Sequence, residues 1–201
     1  YLSNEQSHYI KNVMRLKPGD TVSLFNATNG EWDAKIVNHE KEGTEFKVER
    51  LTKNKKPETD VWLAFSPIKK IPLDMMIQKT TELGVQKFIP ILSDRTIVQE
   101  INIERLKKII IEASEQSNRI SLPIINDPQN LDKFLKSNLM NLIFTDLNSN
   151  NKNIDCSKFS DKPICIIVGP EGDFSETEKE QILNFDKVQA LKINDNILRS
   201  E

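Results

Sequence analysis

The sequence predicts an α/β fold with a mainly parallel sheet and helices on both faces, preceded by a small antiparallel β unit. Three observations carry this. From residue 61 onward, short apolar runs alternate with segments of helical period, the pattern of successive βαβ units. Before residue 53, three β-rich segments are separated by glycine-bearing turns. Between them lies "KNKKPETD", polar and proline-bearing, which reads as a linker. The expected division is residues 1–57 and 58–201.

The elements follow in order. "LSNEQSHYIKNVMRL" reads as a short helix, with Ser3 as N-cap and Gln6 completing a capping box. "KPGD" is a turn. "TVSLFN", "EWDAKIVN" and "TEFKVERLT" are strands joined through "NATNG" and "HEKEG". In the second part "VWLAFSP" is a strand and "LDMMIQKTTELG" a helix ended by Gly84. "KFIPIL" is a strand and "NIERLKKIIIEASEQSN" a helix. "SLPIIN", then "PQNLDKFLKS", repeat that order, and "NLIFTD" and "KPICIIVG" are further strands. "SETEKEQILNF" is a helix opened by a Ser175/Glu178 capping box, and "KVQALKI" a last strand. Residues 147–161 form a polar loop.

Composition narrows the class. The chain has 201 residues, 37% hydrophobic and 29% charged, which suits a folded core with a solvated surface. No apolar run approaches the roughly 20 residues of a membrane span. The first residues lack the basic-then-apolar order of a signal peptide, and the chain opens on Tyr1 rather than Met, so a natural start is expected to be missing. Two cysteines, Cys156 and Cys165, argue against a disulfide scaffold or zinc site and for a reducing cytoplasm. Net charge is -2, but unevenly spread: residues 61–119 carry 9 basic and 7 acidic groups, residues 120–201 carry 9 and 13. A polyanion would therefore meet the middle of the chain or local patches.

In an open parallel sheet, ligands bind beyond the carboxyl ends of the strands. Three late segments end such strands: residues 143–147, "IIVGPEGDFS" (166–175) and "KINDNILRSE" (192–201). The middle one is no phosphate loop. It has two glycines, gives up a donor at Pro170, and adds Glu171 and Asp173. A neutral or cationic ligand read by backbone groups, such as a nucleoside-like ring with a sulfonium, suits it better.

"GPEGDFSETE" followed by "ILRSE" resembles the C-terminal pattern GPEGGFS…LG.RILR.ETA of the RsmE family of SPOUT-class RNA methyltransferases. "QKTTELGV" (78–85) resembles that family's KATELGV, "EASEQSNRISLP" (112–123) its EA.EQ..R..P, and "HYIKNVMRLKPGD" (8–20) its HHL..VLRL..GD. The matches run in order through nearly the whole chain. The resemblance implies a PUA-like β-barrel for RNA binding, a C-terminal α/β domain tied in a trefoil knot, and S-adenosylmethionine (SAM) in the knot loops. It also implies a homodimer and N3-methylation of a uridine in bacterial small-subunit (16S) rRNA, free or in the assembled subunit. Departures are Asp173 where the family has glycine, "INDNILRSE" in place of LG.RILR.ETA, and an end at Glu201 before the family's closing helix, expected to be a truncation. Two alternatives stay open: a SPOUT enzyme for another RNA or base, and an inactive RNA-binding module.

Candidate residues follow. The resemblance assigns cofactor contact to Val168, Gly169, Pro170, Glu171 and Gly172. Thr145, Asp146 and Leu147 form a second wall, and Ile193, Asn194, Ile197 and Leu198 a third. Gly169 is expected to let the backbone approach the adenosine. Uridine N3 is a poor nucleophile until deprotonated, so the site needs a proton acceptor or a cation for the anion. Arg199 is the candidate cation, Glu201 the orienting or accepting carboxylate, and Glu171 the third candidate. Arg15, Lys17, Lys70, Lys79, Arg95 and Arg119 are candidates for rRNA phosphates. Glu115 and Gln116 match the family pattern and are equally explained by holding their helix. His8 and His39 stand alone and read as non-catalytic. No metal site is expected.

Overall fold

β1 (Thr21–Asn26), β2 (Gly30–His39) and β3 (Thr44–Lys53) form an antiparallel meander in the order β1-β2-β3. The structure is a computed structural model and describes residues 2, 4–40, 43–54, 59–137, 139–159, 161–196 and 198. The chain divides into two compact units, Tyr1–Pro57 and Glu58–Glu201. In the first, the β2/β3 register slips three times, the irregularity that curls a sheet. Among the described residues the pairing is an open three-stranded sheet. The leading helix is α1 (Asn4–His8), which continues as a π-helical turn, Tyr9–Val13, rather than as regular helix. It is tied to the sheet by Leu2 N to Thr44 O (3.3 Å) and Thr44 N to Ser7 Oγ (2.8 Å). The Ser3 cap lies outside the described residues.

The second unit carries a sheet in the order β10-β8-β9-β4-β5-β6. Its strands are β4 (Val61–Phe65), β5 (Lys87–Leu92), β6 (Ile124–Ile125), β8 (Asn141–Thr145), β9 (Ile164–Val168) and β10 (Val188–Leu191), all paired parallel. The strand expected over "SLPIIN" keeps only two residues of pairing. After Asn126 N, which still donates to Phe88 O (3.0 Å), the chain leaves the ladder over residues 127–128, where Pro128 lacks an N–H, and rejoins β5 as β7 (Gln129–Asn130). The following helix therefore begins later than expected, as α4 (Leu131–Ser137), with Asn130 Oδ1 accepting Lys133 N.

α2 (Lys70–Glu82), α3 (Ile103–Gln116) and α5 (Glu176–Leu183) complete the layers. α2 and α3 cover one face through Leu73, Met76, Ile77, Leu106 and Ile110, against Leu63, Phe65 and Phe88 of the strands. α4 and α5 cover the other through Phe134 and Ile182, against Ala64, Ile89, Phe144 and Ile167. Residues 63–65 of β4 thus alternate between the two cores, as period 2 requires. α2 ends at Gly84 in a Schellman arrangement: φ is +105°, Gly84 N meets Thr81 O and Val85 N meets Thr80 O.

The late part of this unit is threaded. β10 lies at the sheet edge beside β8, yet the β8–β9 connection passes along its other side. There Ser149 Oγ and Asn151 Nδ2 both donate to Ala190 O (3.2 and 3.1 Å). The Gln189 side chain exchanges two 2.9 Å bonds with the Asp155 backbone. β10 therefore runs between β8 and that connection, the crossing of a trefoil-knotted SPOUT fold.

Candidate functional site

β10, β8 and β9 are neighbours and parallel, so Leu191, Thr145 and Val168 end side by side. Their loops are cross-bonded. Thr145 Oγ1 donates to Ile167 O (3.1 Å), Asp146 N to Leu191 O (3.0 Å), and Lys192 N to Asn151 O (2.8 Å). Lys152 and Lys192 both approach the Asp195 carboxylate, at 2.9 and 3.4 Å. Lys152 first, then Lys192, hold that carboxyl below its ordinary value. The loop after β8 and the loop after β10 thus form one rim.

The turn after β9 is closed by Asp173 N to Pro170 O, 2.9 Å. Asp173 sits at φ +62°, the left-handed region, which accounts for glycine at this place in the family pattern. Its side chain compensates: Oδ1 accepts Phe174 N (2.8 Å) and Oδ2 meets Lys179 Nζ (2.8 Å). Asp173, then Glu176, push the Lys179 ammonium above its ordinary value against the opposing effect of burial. From the other side Arg95 donates to Gly172 O at 2.9 Å.

Gly169 also has a packing role. A Cβ there would stand 3.0 Å from two ring carbons of Phe174, which is fully buried, and φ is not in the left-handed region. Phe174 packing is thus one reason for glycine at 169, beside the expected approach of the backbone to the cofactor. At Gly172 a Cβ would meet Arg95 only at ordinary contact distance, 3.7 Å.

The rim suits a flat, partly apolar ligand. Leu147, Ile193 and Leu198, on the loops after β8 and β10, are 43%, 63% and 53% exposed. Glu171, Gly172 and Asn194 are exposed, Asp146 is half-buried, and Pro170 is buried. A phosphate cradle is absent from the turn: Pro170 has no N–H, and the amides of Asp173 and Phe174 are spent on Pro170 O and Asp173 Oδ1. Neutral or cationic groups fit these donors and acids. Ile197, Arg199 and Glu201 lie outside the described residues.

Of the candidate phosphate ligands, Arg15 (φ +58°), Lys17 and Lys70 are exposed. Lys79 pairs with Glu82 at 2.9 Å. Arg119 has a structural role within the unit. Its guanidinium donates to Thr81 O (2.6 Å), Val85 O (2.9 Å) and Ser121 Oγ (3.1 Å), so it closes the C-terminus of α2. Arg95 serves the Gly172 carbonyl, which a charge-based reading could not foresee. His39 bridges Thr44 Oγ1 and Leu16 O, each at 3.0 Å, and is structural. Burial pushes the Cys165 thiol up to about 12, which makes it inert. Among the described residues no group of three His, Cys, Asp or Glu side chains could hold a metal ion.

Sequence reasoning missed the latch beneath the turn. The buried Glu178 carboxylate accepts Ser175 N (2.9 Å) and, from the loop after β5, Asp94 N (2.8 Å), while Ser175 Oγ donates to Asp94 Oδ2 (2.7 Å). The capping box announced the first bond; nothing local announces the second.

Comparison with known proteins places this geometry. Residues 54–201 match the RNA methyltransferase domain family, and residues 2–49 the RNA methyltransferase PUA domain. The ribosomal RNA small subunit methyltransferase E of Rickettsia conorii is 34% identical over 99% of this chain and 83% of that protein. The chain belongs to the ribosomal RNA small subunit methyltransferase E family. The family enzyme of Bacillus subtilis is 28% identical over the whole chain and 84% of that protein. Among solved structures, the family enzyme of Neisseria gonorrhoeae bound to SAM superposes with a TM-score of 0.87, at 26% identity over 99% of this chain and 84% of that one. A Legionella pneumophila methyltransferase in complex with SAM gives 0.83, at 27% identity over 99% and 85%. The α/β fold and the PUA-like N-terminal unit are thus those of this methyltransferase E family.

Proposed function

We propose that the chain transfers the methyl group of SAM to N3 of a uridine in bacterial small-subunit ribosomal RNA. The observation that carries this reading is the cross-bonded rim at the ends of β8, β9 and β10, with bare aliphatics beside a turn unfit for phosphate. When bound, SAM supplies an electrophilic methyl on a cationic sulfonium. Leu147, Ile193 and Leu198 would hold the apolar part of the cofactor, and Ile197 is our further candidate for it. Thr145, Asp146, Val168, Asn194 and the backbone of residues 169–172 would supply the rest of the wall.

Uridine N3 must lose its proton, and the resulting charge spreads onto O2 and O4. Arg199 is our choice to stabilise that charge. Glu201, or Glu171 on the exposed turn, would take or orient the proton. Holding base and methyl together in a water-poor cleft supplies much of the remaining acceleration. Arg15 and Lys17 in residues 1–57, and Lys70 at the start of α2, are the basic groups we retain for rRNA phosphates. Residues 1–57 would act in RNA binding and residues 58–201 in transfer. A second copy of the chain completes the RNA side as a homodimer in the cytoplasm, on free rRNA or the assembled subunit. Calorimetric titration with SAM, followed by transfer of labelled methyl to small subunits lacking the modification, tests the reading. Saturable one-to-one binding per protomer and one methyl per subunit are expected. No binding, or methyl found only on another base, would refute it.

A further inference from the structure

The turn after β9 is held by side chains that do not belong to it. The left-handed region favours glycine and, next to it, Asn and Asp when the side chain bonds locally; Asp173 carries a Cβ at φ +62°. Its carboxylate is used twice, on Phe174 N and on Lys179. Lys179 lies one turn into α5 with only 12% of its side chain exposed, while the Asp173 side chain it holds is 48% exposed. Glu176 reaches the same ammonium at 3.3 Å. On the opposite flank Arg95 fixes the Gly172 carbonyl, and its own loop is latched to α5 through Asp94, Ser175 and Glu178. Both flanks therefore refer the turn to the N-terminus of α5.

We propose that the Asp173–Lys179 pair and Arg95 are positioning residues. They hold residues 169–173 in the shape that receives the cofactor, the ion pair doing in this chain what glycine's free φ does in the family pattern. This rests on the SAM reading above. None of the three needs to touch the cofactor. Their effect is preorganisation: a turn already in shape loses less freedom on binding. The pair therefore acts on cofactor affinity and not on the transfer step.

The test uses the full chain in four forms: parent, Lys179→Met, Asp173→Ala and Asp173→Gly. Methionine keeps the apolar stem of Lys179 and removes its charge. The first readout needs no ligand: amide hydrogen exchange of the segment covering residues 169–175. Exchange should rise about tenfold in Lys179→Met and in Asp173→Ala, since an ordered turn opens more often once its tether is lost. The second readout is calorimetric SAM affinity, with turnover at saturating SAM. Affinity should fall about tenfold in Lys179→Met and Asp173→Ala, with turnover within about twofold of parent, the mark of uniform binding lost. Asp173→Gly should bind more tightly than Asp173→Ala, because glycine takes the φ without help. Unchanged exchange in Lys179→Met would overturn the proposal, as would equal affinity of the alanine and glycine variants. A parent chain that binds no SAM would refute the functional reading instead, and the exchange measurement would still decide the role of the pair. If Lys179→Met fails to fold, the alanine and glycine variants decide by the same criteria.

Discussion

Replacing Gly169 by alanine tests whether that glycine serves the core or the ligand. The added Cβ would sit 3.0 Å from Cδ2 and Cε2 of Phe174. Carbon atoms in contact prefer about 3.5–4.0 Å, so ring or turn must give by a few tenths of an ångström. The ring has little room: Phe174 is 0% exposed and packs edge-on against Phe144, with centroids 5.9 Å apart and planes at 63°. Overpacking of this kind costs about 1–3 kcal/mol. At about 2–4 °C per kcal/mol for a chain of this size, the melting temperature should fall by several degrees. The assay is thermal and denaturant unfolding of parent, Gly169→Ala, Phe174→Leu and the double variant, without cofactor. Leucine removes the ring edge, so the double variant should be less destabilised than the sum of the singles by about 1 kcal/mol. A Gly169→Ala protein that melts like parent but no longer binds SAM would refute this account and return Gly169 to the ligand.

Arg199→Ala should leave SAM affinity unchanged and slow transfer by roughly a hundredfold or more, since the charge it would meet exists only in the transition state; normal turnover would remove Arg199 from the mechanism. Glu115, in the last turn of α3, has its carboxyl raised above 4.5 by burial and then by Glu112. Its charged form therefore burdens the fold at neutral pH, and that burden lifts as pH falls through the raised value. Glu115→Gln should stabilise the protein slightly at pH 7, by less than about 1 kcal/mol after solvent screening, and not below about pH 4, as two urea melts would show. Deleting residues 1–57 should weaken rRNA binding while leaving SAM binding nearly intact, and equal loss of both would contradict the division of labour. Light scattering of the full chain should report a dimer at micromolar concentration; a monomer would contradict the homodimer.

Where local chemistry decides, the sequence was a sufficient guide. Ser175 and Glu178 announce the start of α5, and both bonds of the box are present. Gly84 announces the end of α2. Alternation of apolar runs with helical segments announces a parallel sheet. What was illegible depends on partners distant in the chain. Threading of β10 past the loop after β8 leaves no periodic trace, and only the family resemblance suggested it. Arg95 and Gly172 are 77 positions apart, and Arg119 and Thr81 are 38 apart; charge could announce neither bond. At Gly169 the sequence suggested a close approach of the backbone to a ligand; the close packing of the Phe174 ring is visible only once the turn is folded. The Asp173 departure from the family glycine was legible, but its partner Lys179 was not.

The central claim is methylation of a small-subunit rRNA uridine at N3. A methyl there removes the donor that pairs with adenine, so the site blocks reverse transcription and adds one methyl mass to one fragment. Mapping of rRNA by mass spectrometry and primer extension, in cells with and without this gene, tests the claim most directly. The account predicts that one N3-methyluridine in small-subunit rRNA disappears on deletion and returns with the parent gene. An unchanged methylation pattern, or loss of a methyl from another base, would contradict it.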